Sequence, residues 1–388
     1  MLRGLGLVRV ICLLFLLSPF SAFAQSDLIV EKKTFSMPSY TTVAGATIKD
    51  VTIGWESAGT LNADKSNAIL IAHFFSGTSH AFGKYAKDDK VTGYWDYLVG
   101  PGKPVDTNKY FVLSSDTLVN LNVNAPNVVT TGPASINPDT GKPYGMSFPV
   151  VSIKDFVRVQ KALVDSLGIK KLHAVMGPSM GALQTYEWAA SFPEAVDRIV
   201  PVIGTPGGDA FLIEWLNIWA APIKLDPNWN GGNYYGGKPP TEGLKQALKI
   251  VTLQANHSDW AIKTFGNAPA DPAKDPAAAM DNQFKIEAAI DAAAAARAAT
   301  SDANSLIYLA KANQLANADP AKIKAPALIL YSPTDLVFYR PLVEEGAKAI
   351  AAGGTPVETA QLPGPNGHLN GVVGVAQQGE RIKAFLDK

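Results

Sequence analysis

The run HAVMGPSMGALQTYEW, residues 173–188, constrains the fold more than any other stretch of this chain. An apolar segment, LHAVMG, reaches a serine framed by Gly177 and Gly181, and MGALQTYEWAASF continues at helical spacing. A strand that turns this sharply into a helix needs glycine on either side of the turn residue, because a β-carbon there would strike neighbouring backbone. Such a turn lifts the Ser179 hydroxyl above the sheet and aims the Met180 amide at the space beside it. Gly-x-Ser-x-Gly alone is weak, since composition produces it in on the order of one chain in ten of this length. The strand before it and the helix after it supply the context. Pro178 is compatible with the turn, because it holds Gly177 extended, as a strand end requires.

The rest of the chain repeats the same alternation. AILIAHF (68–74), YFVLSSD (110–116), RIVPVIG (198–204) and ALILYSP (327–333) are continuous apolar runs, as strands buried on both faces require. TIKDVTIGWESAG (47–59) alternates instead and reads as an edge strand. Residues 152–167 place Phe156, Val157, Leu163, Val164 and Leu167 at helical spacing, with Gly168 as C-cap, and VEEGAKAIAAG (343–353) is a second helix. Strands alternating with helices predict an α/β protein, a mostly parallel central sheet with helices on both faces. The rhythm changes between residues 206 and 323, where helical spacing dominates and EAAIDAAAAARAA (287–299) is built from the best helix former. The expected organisation is a core of residues 25–205 and 324–388 and an all-helical cap of residues 206–323.

Residues 1–24 stand apart. Arg3 and Arg9 precede the short apolar run ICLLFLLSPF, and Ala22-Phe23-Ala24 is a small-x-small cleavage pattern. This reads as a cleaved export signal, too short to span a membrane, and predicts a periplasmic or secreted protein with no membrane attachment after cleavage. The single cysteine, Cys12, lies in that segment, leaving the remainder without disulfide, thiolate metal site or cysteine nucleophile. With 34 Lys and Arg against 34 Asp and Glu the chain lacks the basic footprint of a nucleic-acid binder. His73 and His80 have no carboxylate or cysteine companion in sequence, so no metal is expected. TGKP (140–143) lacks the glycine spacing and following helix of a phosphate loop.

Chain order then selects the partners of Ser179. Asp335 follows the buried strand ALILYSP, at the carboxyl end where sites of open α/β sheets gather. His368, in the loop LPGPNGHLNG, comes next after one more helix and a short strand-like VETAQL. Of five histidines, His368 is the one placed downstream of Ser179 in this way, whereas His257 falls in the helical insertion. Serine, acid and histidine in this order predict a triad in which His368 takes the Ser179 proton and Asp335 fixes the imidazole tautomer. The second oxyanion donor, beside the Met180 amide, is expected from the HFFSG loop at Phe75, where one donor is worth about 3 kcal/mol. No cofactor is expected.

The stretches GYWDYLVGPGKPVDTNKYFV (93–112), TTGPASINPDTGKPYGMSFPVVSIKDFVRVQKALVDSLGI (130–169), IKLDPNWNGGNYYGG (223–237) and SDANSLIYLAKA (301–312), with the serine turn, resemble the homoserine O-acetyltransferase family of α/β-hydrolase-fold proteins. The resemblance covers most of the chain. It implies HFFSG as oxyanion loop, the same triad, a helical cap over a deep acyl-accepting tunnel, and a homodimer formed through the cap. Three departures stand out. The serine turn reads GPSMGA, where the family usually has Gly-Gly-Ser-Met-Gly-Gly. VIGTPGGDAF (202–211) lacks the arginine expected to bind the acceptor carboxylate, and Leu369 replaces the aspartate that commonly follows the histidine. A buried charge without a partner binds poorly, so water is the expected acyl acceptor. These departures predict a secreted serine hydrolase cleaving a small carboxylic ester or amide through an acyl-enzyme on Ser179. The alternatives are an O-acyltransferase of the homoserine acetyltransferase type and an inactive periplasmic binding protein. Phe74, Phe211, Trp215, Trp219, Tyr234 and Leu369 are the candidate pocket residues, although each aromatic of the cap serves equally to pack the cap itself.

Overall fold

The computed structural model describes residues 28–388, so the expected export signal lies outside the described residues. Eight strands form one sheet: β1 Lys33–Thr41, β2 Thr47–Ala58, β3 Ala68–Ala72, β4 Phe111–Ser115, β5 Ala174–Pro178, β6 Ile199–Val202, β7 Ala327–Tyr331 and β8 Val357–Gln361. Their spatial order is β1-β2-β4-β3-β5-β6-β7-β8. β1–β2 and β2–β4 are antiparallel and all other neighbours are parallel. Every residue of β3, β5 and β7 is buried, which is why these strands are apolar throughout.

Alternate residues of these strands feed two separate cores. Leu70, Val175, Ile199 and Ile329 face one cluster, which also takes in helices α1 Ile153–Ser166, α2 Met180–Ser191 and, later in the chain, the helix Arg340–Ala352. Ile71, Met176, Val200 and Leu330 face the other, together with Trp95, Phe82 and the C-terminal helix Gly379–Leu386. Helices thus cover both faces, as the period-2 side-chain alternation of buried strands demands.

Five helices lie between β6 and β7: α3 Ala210–Leu225, α4 Thr241–Gln254, α5 Ser258–Phe265, α6 Lys285–Ala298 and α7 Ala303–Gln314. The alanine-rich run is helix α6, packed on α4 through Ile290 and Ala294. Helix α7 is buried along most of its length and anchors the insertion to the core, with the Tyr308 hydroxyl donating to the Met146 carbonyl at 3.1 Å. Helices α8 Arg340–Ala352, α9 Asn370–Val373 and α10 Gly379–Leu386 complete the chain. The apolar runs outlast the strand ladders by a residue or two at their carboxyl ends, because the loops leaving β3, β6 and β7 run inward beneath the insertion. His73, Ile203 and Ser332 are all fully buried there.

Candidate active site

The turn at Ser179 is built as its glycines require. Ser179 adopts φ 59°, a conformation L-residues rarely occupy, between the end of β5 and the start of α2. A β-carbon on Gly177 would lie 2.4 Å from the Ala72 carbonyl oxygen, and one on Gly181 would lie 2.2 Å from the same atom. The end of β3 therefore passes too close for any other residue. Ala182, where the family usually has a second glycine, is accommodated by Gly204, whose missing β-carbon would fall 2.5 Å from that of Ala182.

The three residues chosen by chain order meet at this turn. His368 Nε2 lies 2.8 Å from Ser179 Oγ, and His368 Nδ1 lies 2.8 Å from Asp335 Oδ2. The other carboxylate oxygen of Asp335 accepts the Val337 amide at 2.7 Å and the Phe338 amide at 3.0 Å, so all its lone pairs are directed. Ser179, Asp335 and His368 are 8%, 3% and 6% exposed. The histidine loop is fastened by Asn370, whose side-chain amide donates to Ser332 Oγ and to the Gly364 carbonyl, both at 3.0 Å. Gly367, with φ 59°, lets the loop pass under the cap: a β-carbon there would lie 3.0 Å from the Asn256 carbonyl carbon and the His257 amide nitrogen. A serine hydroxyl, an imidazole and an oriented carboxylate so connected can pass a proton from serine to histidine as the oxygen attacks a carbonyl.

Phe75, expected from the sequence to give an oxyanion donor, lies in the loop after β3. Among the described residues neither the Phe75 nor the Met180 amide donates to another protein group. The loop itself is held at many points. Gln184 of α2 donates to the His73 carbonyl at 3.1 Å and accepts from Gln160 of α1, which in turn accepts from the Trp188 indole. Asn120 and Asn122 donate to the Gly77 and Ser76 carbonyls at 3.1 and 3.0 Å. Beyond them Glu56 accepts from Ser79, His80 and Tyr85 at 2.7 to 2.9 Å and pairs with Lys32 at 2.9 Å. Burial opposes ionisation of Glu56, but these donors and the Lys32 charge outweigh it and bring its pKa down to about 2. Asp116, which accepts the Ser79 amide, is shifted the other way because its own desolvation dominates. His80 therefore belongs to a carboxylate cluster after all, but an acidic pair neutralised by lysine and hydrogen bonds. Among the described residues no group of three or more His, Cys, Asp or Glu is arranged to hold a metal.

The pocket candidates divide. Trp219 is buried, meets the Phe75 ring edge-on at 5.3 Å and donates its indole N–H to Gln254 at 2.6 Å. Phe74 packs against Tyr94 at 5.0 Å, and the Leu369 amide donates to the Ala255 carbonyl of the cap at 3.1 Å. These three lie next to the triad or its oxyanion loop. The others do not. Phe211 is 59% exposed, with half-buried Trp215 and Tyr339 both edge-on beside it. Tyr234 is buried, but its hydroxyl is tied to the Asp302 carboxylate and accepts the Asn304 amide, so it packs the base of the cap. Gln184, Asn370 and Glu56 went unnoticed in the sequence, where single polar residues carry no signal of what they hold.

With this geometry in hand, likeness to known proteins can be weighed. The α/β-hydrolase-fold family model matches residues 123–358. A homoserine O-acetyltransferase of Moorella thermoacetica is 36% identical over 354 residues, which is 88% of this chain and 92% of that protein. The chain belongs to the homoserine O-acetyltransferase family. The crystal structure of the Bacillus anthracis homoserine O-acetyltransferase superposes with a TM-score of 0.89 at 35% identity, covering 93% of this chain and 98% of that one. A crystal structure of esterase E22 gives the same TM-score at 45% identity, covering 92% of this chain and all of that one. As a member of this family the chain is an enzyme of the α/β-hydrolase fold.

Family membership corrects the expectation of a serine hydrolase with water as acyl acceptor. Its curated relatives are acyltransferases that share the chain nearly end to end. The expectation rested on two absent charge partners, in residues 202–211 and at Leu369. Absent partners in those two segments do not exclude a charge partner elsewhere in the chain.

Proposed function

We propose that this protein is an O-acyltransferase of the homoserine acetyltransferase type, moving an acetyl group through Ser179 to the hydroxyl of a small acceptor. The observation that carries this reading is the continuous 2.8 Å contact from Asp335 through His368 to Ser179, in a chain of this family. Ser179 Oγ attacks the acyl carbonyl of the donor while His368 Nε2 removes its proton. The developing oxyanion is received by the Phe75 and Met180 amides. His368 then returns the proton to the departing thiolate or alkoxide, leaving the acyl group on Ser179. In the second half the acceptor hydroxyl gives its proton to His368 and attacks the acyl-enzyme, and the same proton restores Ser179. Asp335 orients the imidazole and stabilises its charged form in both halves without itself taking a proton.

Trp219 packs on Phe75 of the oxyanion loop, and Phe74 and Leu369 adjoin Phe75 and His368 in the chain, so apolar residues flank the triad. Water scarcity is what an acyltransferase needs, since water and the acceptor compete for the same acyl-enzyme. The test is thiol release from acetyl-CoA with and without homoserine, with the product identified by mass. Release that depends on homoserine, yields O-acetylhomoserine and disappears in Ser179→Ala supports the reading. Release with no dependence on homoserine or any other hydroxyl acceptor contradicts it.

A further inference from the structure

Arg297 is a cation that the fold has half-buried without giving it an anion. It occupies the last turn of α6, on the side of Ile290 and Ala294 that packs against α4. Its Nη1 donates to Thr252 Oγ1 at 2.8 Å, and among the described residues no carboxylate lies within ion-pairing distance. The nearby carboxylates of its own helix are committed elsewhere. Asp291 pairs with Lys249 at 2.6 Å, and Glu287 accepts the Phe284 amide at the start of α6. Surrounding protein pushes the guanidinium pKa down to about 10, yet the residue keeps accessible surface. The guanidinium is thus crowded by protein while part of the residue stays accessible. The negative end of the α6 dipole favours a cation in this turn, but it does so equally for one in open water, so it does not account for the burial.

The place of Arg297 in the fold follows from the hydrogen bonds on either side. Thr252 lies one α4 turn before Ala255, whose carbonyl accepts the amide of Leu369, the residue after His368. Just beyond α6, the Thr300 carbonyl accepts the Asn124 amide at 3.1 Å, and Asn122 of the same loop donates to Ser76 of the oxyanion loop. Arg297 thus stands between the segment that covers His368 and the segment that flanks the oxyanion loop. Thr252 gives its own proton to the Leu248 carbonyl at 2.7 Å, so its oxygen acts only as acceptor and fixes the direction of the guanidinium fork. The remaining N–H donors form the planar pattern that matches carboxylate and phosphate oxygens.

We propose that Arg297, oriented by Thr252, binds the anionic group of the molecule delivered to Ser179, a carboxylate of the acceptor or a phosphate of the donor. This assignment rests on the acyl-transfer reading above and supplies, from the cap, a cation that residues 202–211 lack. It is a binding residue, distinct from the three that react.

The experiment compares kcat/KM for matched charged and neutral substrates in the wild type, Arg297→Ala, Arg297→Met and Arg297→Lys. The donor arm sets acetyl-CoA against the phosphate-free thioester S-acetyl-N-acetylcysteamine. The acceptor arm sets homoserine against its uncharged-carboxyl amide. In one arm the charged-to-neutral preference falls about tenfold or more in Arg297→Ala and Arg297→Met, mainly through KM, and recovers in part in Arg297→Lys. The arm that responds identifies the anion. Preferences within about twofold of wild type in both arms overturn the proposal. Arg297→Met keeps the packing of the side-chain stem, so a loss shared by both variants is not a folding defect. Should no hydroxyl acceptor react, the acyl-transfer reading is what fails. CoA and homoserine are then tested as competitive inhibitors of nitrophenyl acetate turnover: an inhibition constant raised about tenfold in Arg297→Ala still supports the anion site, and unchanged constants for both overturn it.

Discussion

Asp335→Asn isolates the orienting role of the carboxylate. The substitution is isosteric, and the surroundings decide which way the new amide points. Asp335 Oδ1 accepts the Val337 and Phe338 amides at 2.7 and 3.0 Å. The asparagine carbonyl must take that position, since its NH₂ group there would face two buried N–H donors at about 1–3 kcal/mol for each group left unsatisfied. The NH₂ group is therefore turned toward His368 Nδ1, where the carboxylate lay at 2.8 Å. His368 then accepts at Nδ1 and carries its proton on Nε2, facing Ser179 with no lone pair to receive the serine proton. The base is lost while the geometry survives. The same change of tautomer in other serine enzymes costs about four orders of magnitude in kcat, or about 5.5 kcal/mol at 1.36 kcal/mol per tenfold. The assay is the pre-steady-state release of nitrophenolate from nitrophenyl acetate, which reads acylation of Ser179 directly, with thermal unfolding as the check on folding. Acylation within about tenfold of wild type would refute the reasoning, since the locked amide leaves no other route to an Nε2 lone pair.

Other consequences can be checked on the same protein. Glu56, with a pKa lowered to about 2 from 4.5, adds stability that is complete above about pH 4.5 and is lost as pH falls toward 2. Asp116, shifted upward by burial, offsets part of it. Denaturant titration of Glu56→Gln should show a deficit of roughly 3 kcal/mol at neutral pH that shrinks through the acid range; a deficit independent of pH refutes the assignment. Gly181→Ala sets a methyl group 2.2 Å from the Ala72 carbonyl oxygen. It should cost at least about 1–3 kcal/mol and displace Ser179, so acylation falls even where the variant folds. Phe211→Ser, at an exposed position of α3, should leave stability within about 0.5 kcal/mol and acylation unchanged, and a large loss of acylation would place Phe211 in the pocket.

The parts of this protein that were legible in the sequence are those whose signal is local. The serine turn was readable because two glycines and a serine between strand and helix answer one steric demand, and the structure shows that demand as the Ala72 carbonyl. The parallel sheet was readable because strands buried on both faces have few polar positions. What was hidden depends on topology. Residues 47–59 read as an edge strand, but β2 is second in the sheet, and the loop after β3 covers Glu56 to complete burial. Asn370, Gln184 and Arg297 are ordinary polar residues until the chain brings Ser332, His73 and Thr252 to them. In α3 apolar residues lie on every side, so spacing does not tell the inner face from the outer. The acceptor was misjudged for a related reason: absent residues in two segments say nothing of what a third segment brings.

The most direct test of the account is the fate of the acyl group once it is on Ser179. The protein is acetylated with a limiting donor, mixed rapidly with a hydroxyl acceptor and quenched, and the modified Ser179 peptide, the acetylated acceptor and free acetate are followed together. The account predicts one acetyl group on Ser179 that disappears faster as acceptor rises, with the acceptor ester as main product. Discharge to acetate at a rate indifferent to every hydroxyl acceptor, or acetylation anywhere but Ser179, would contradict it.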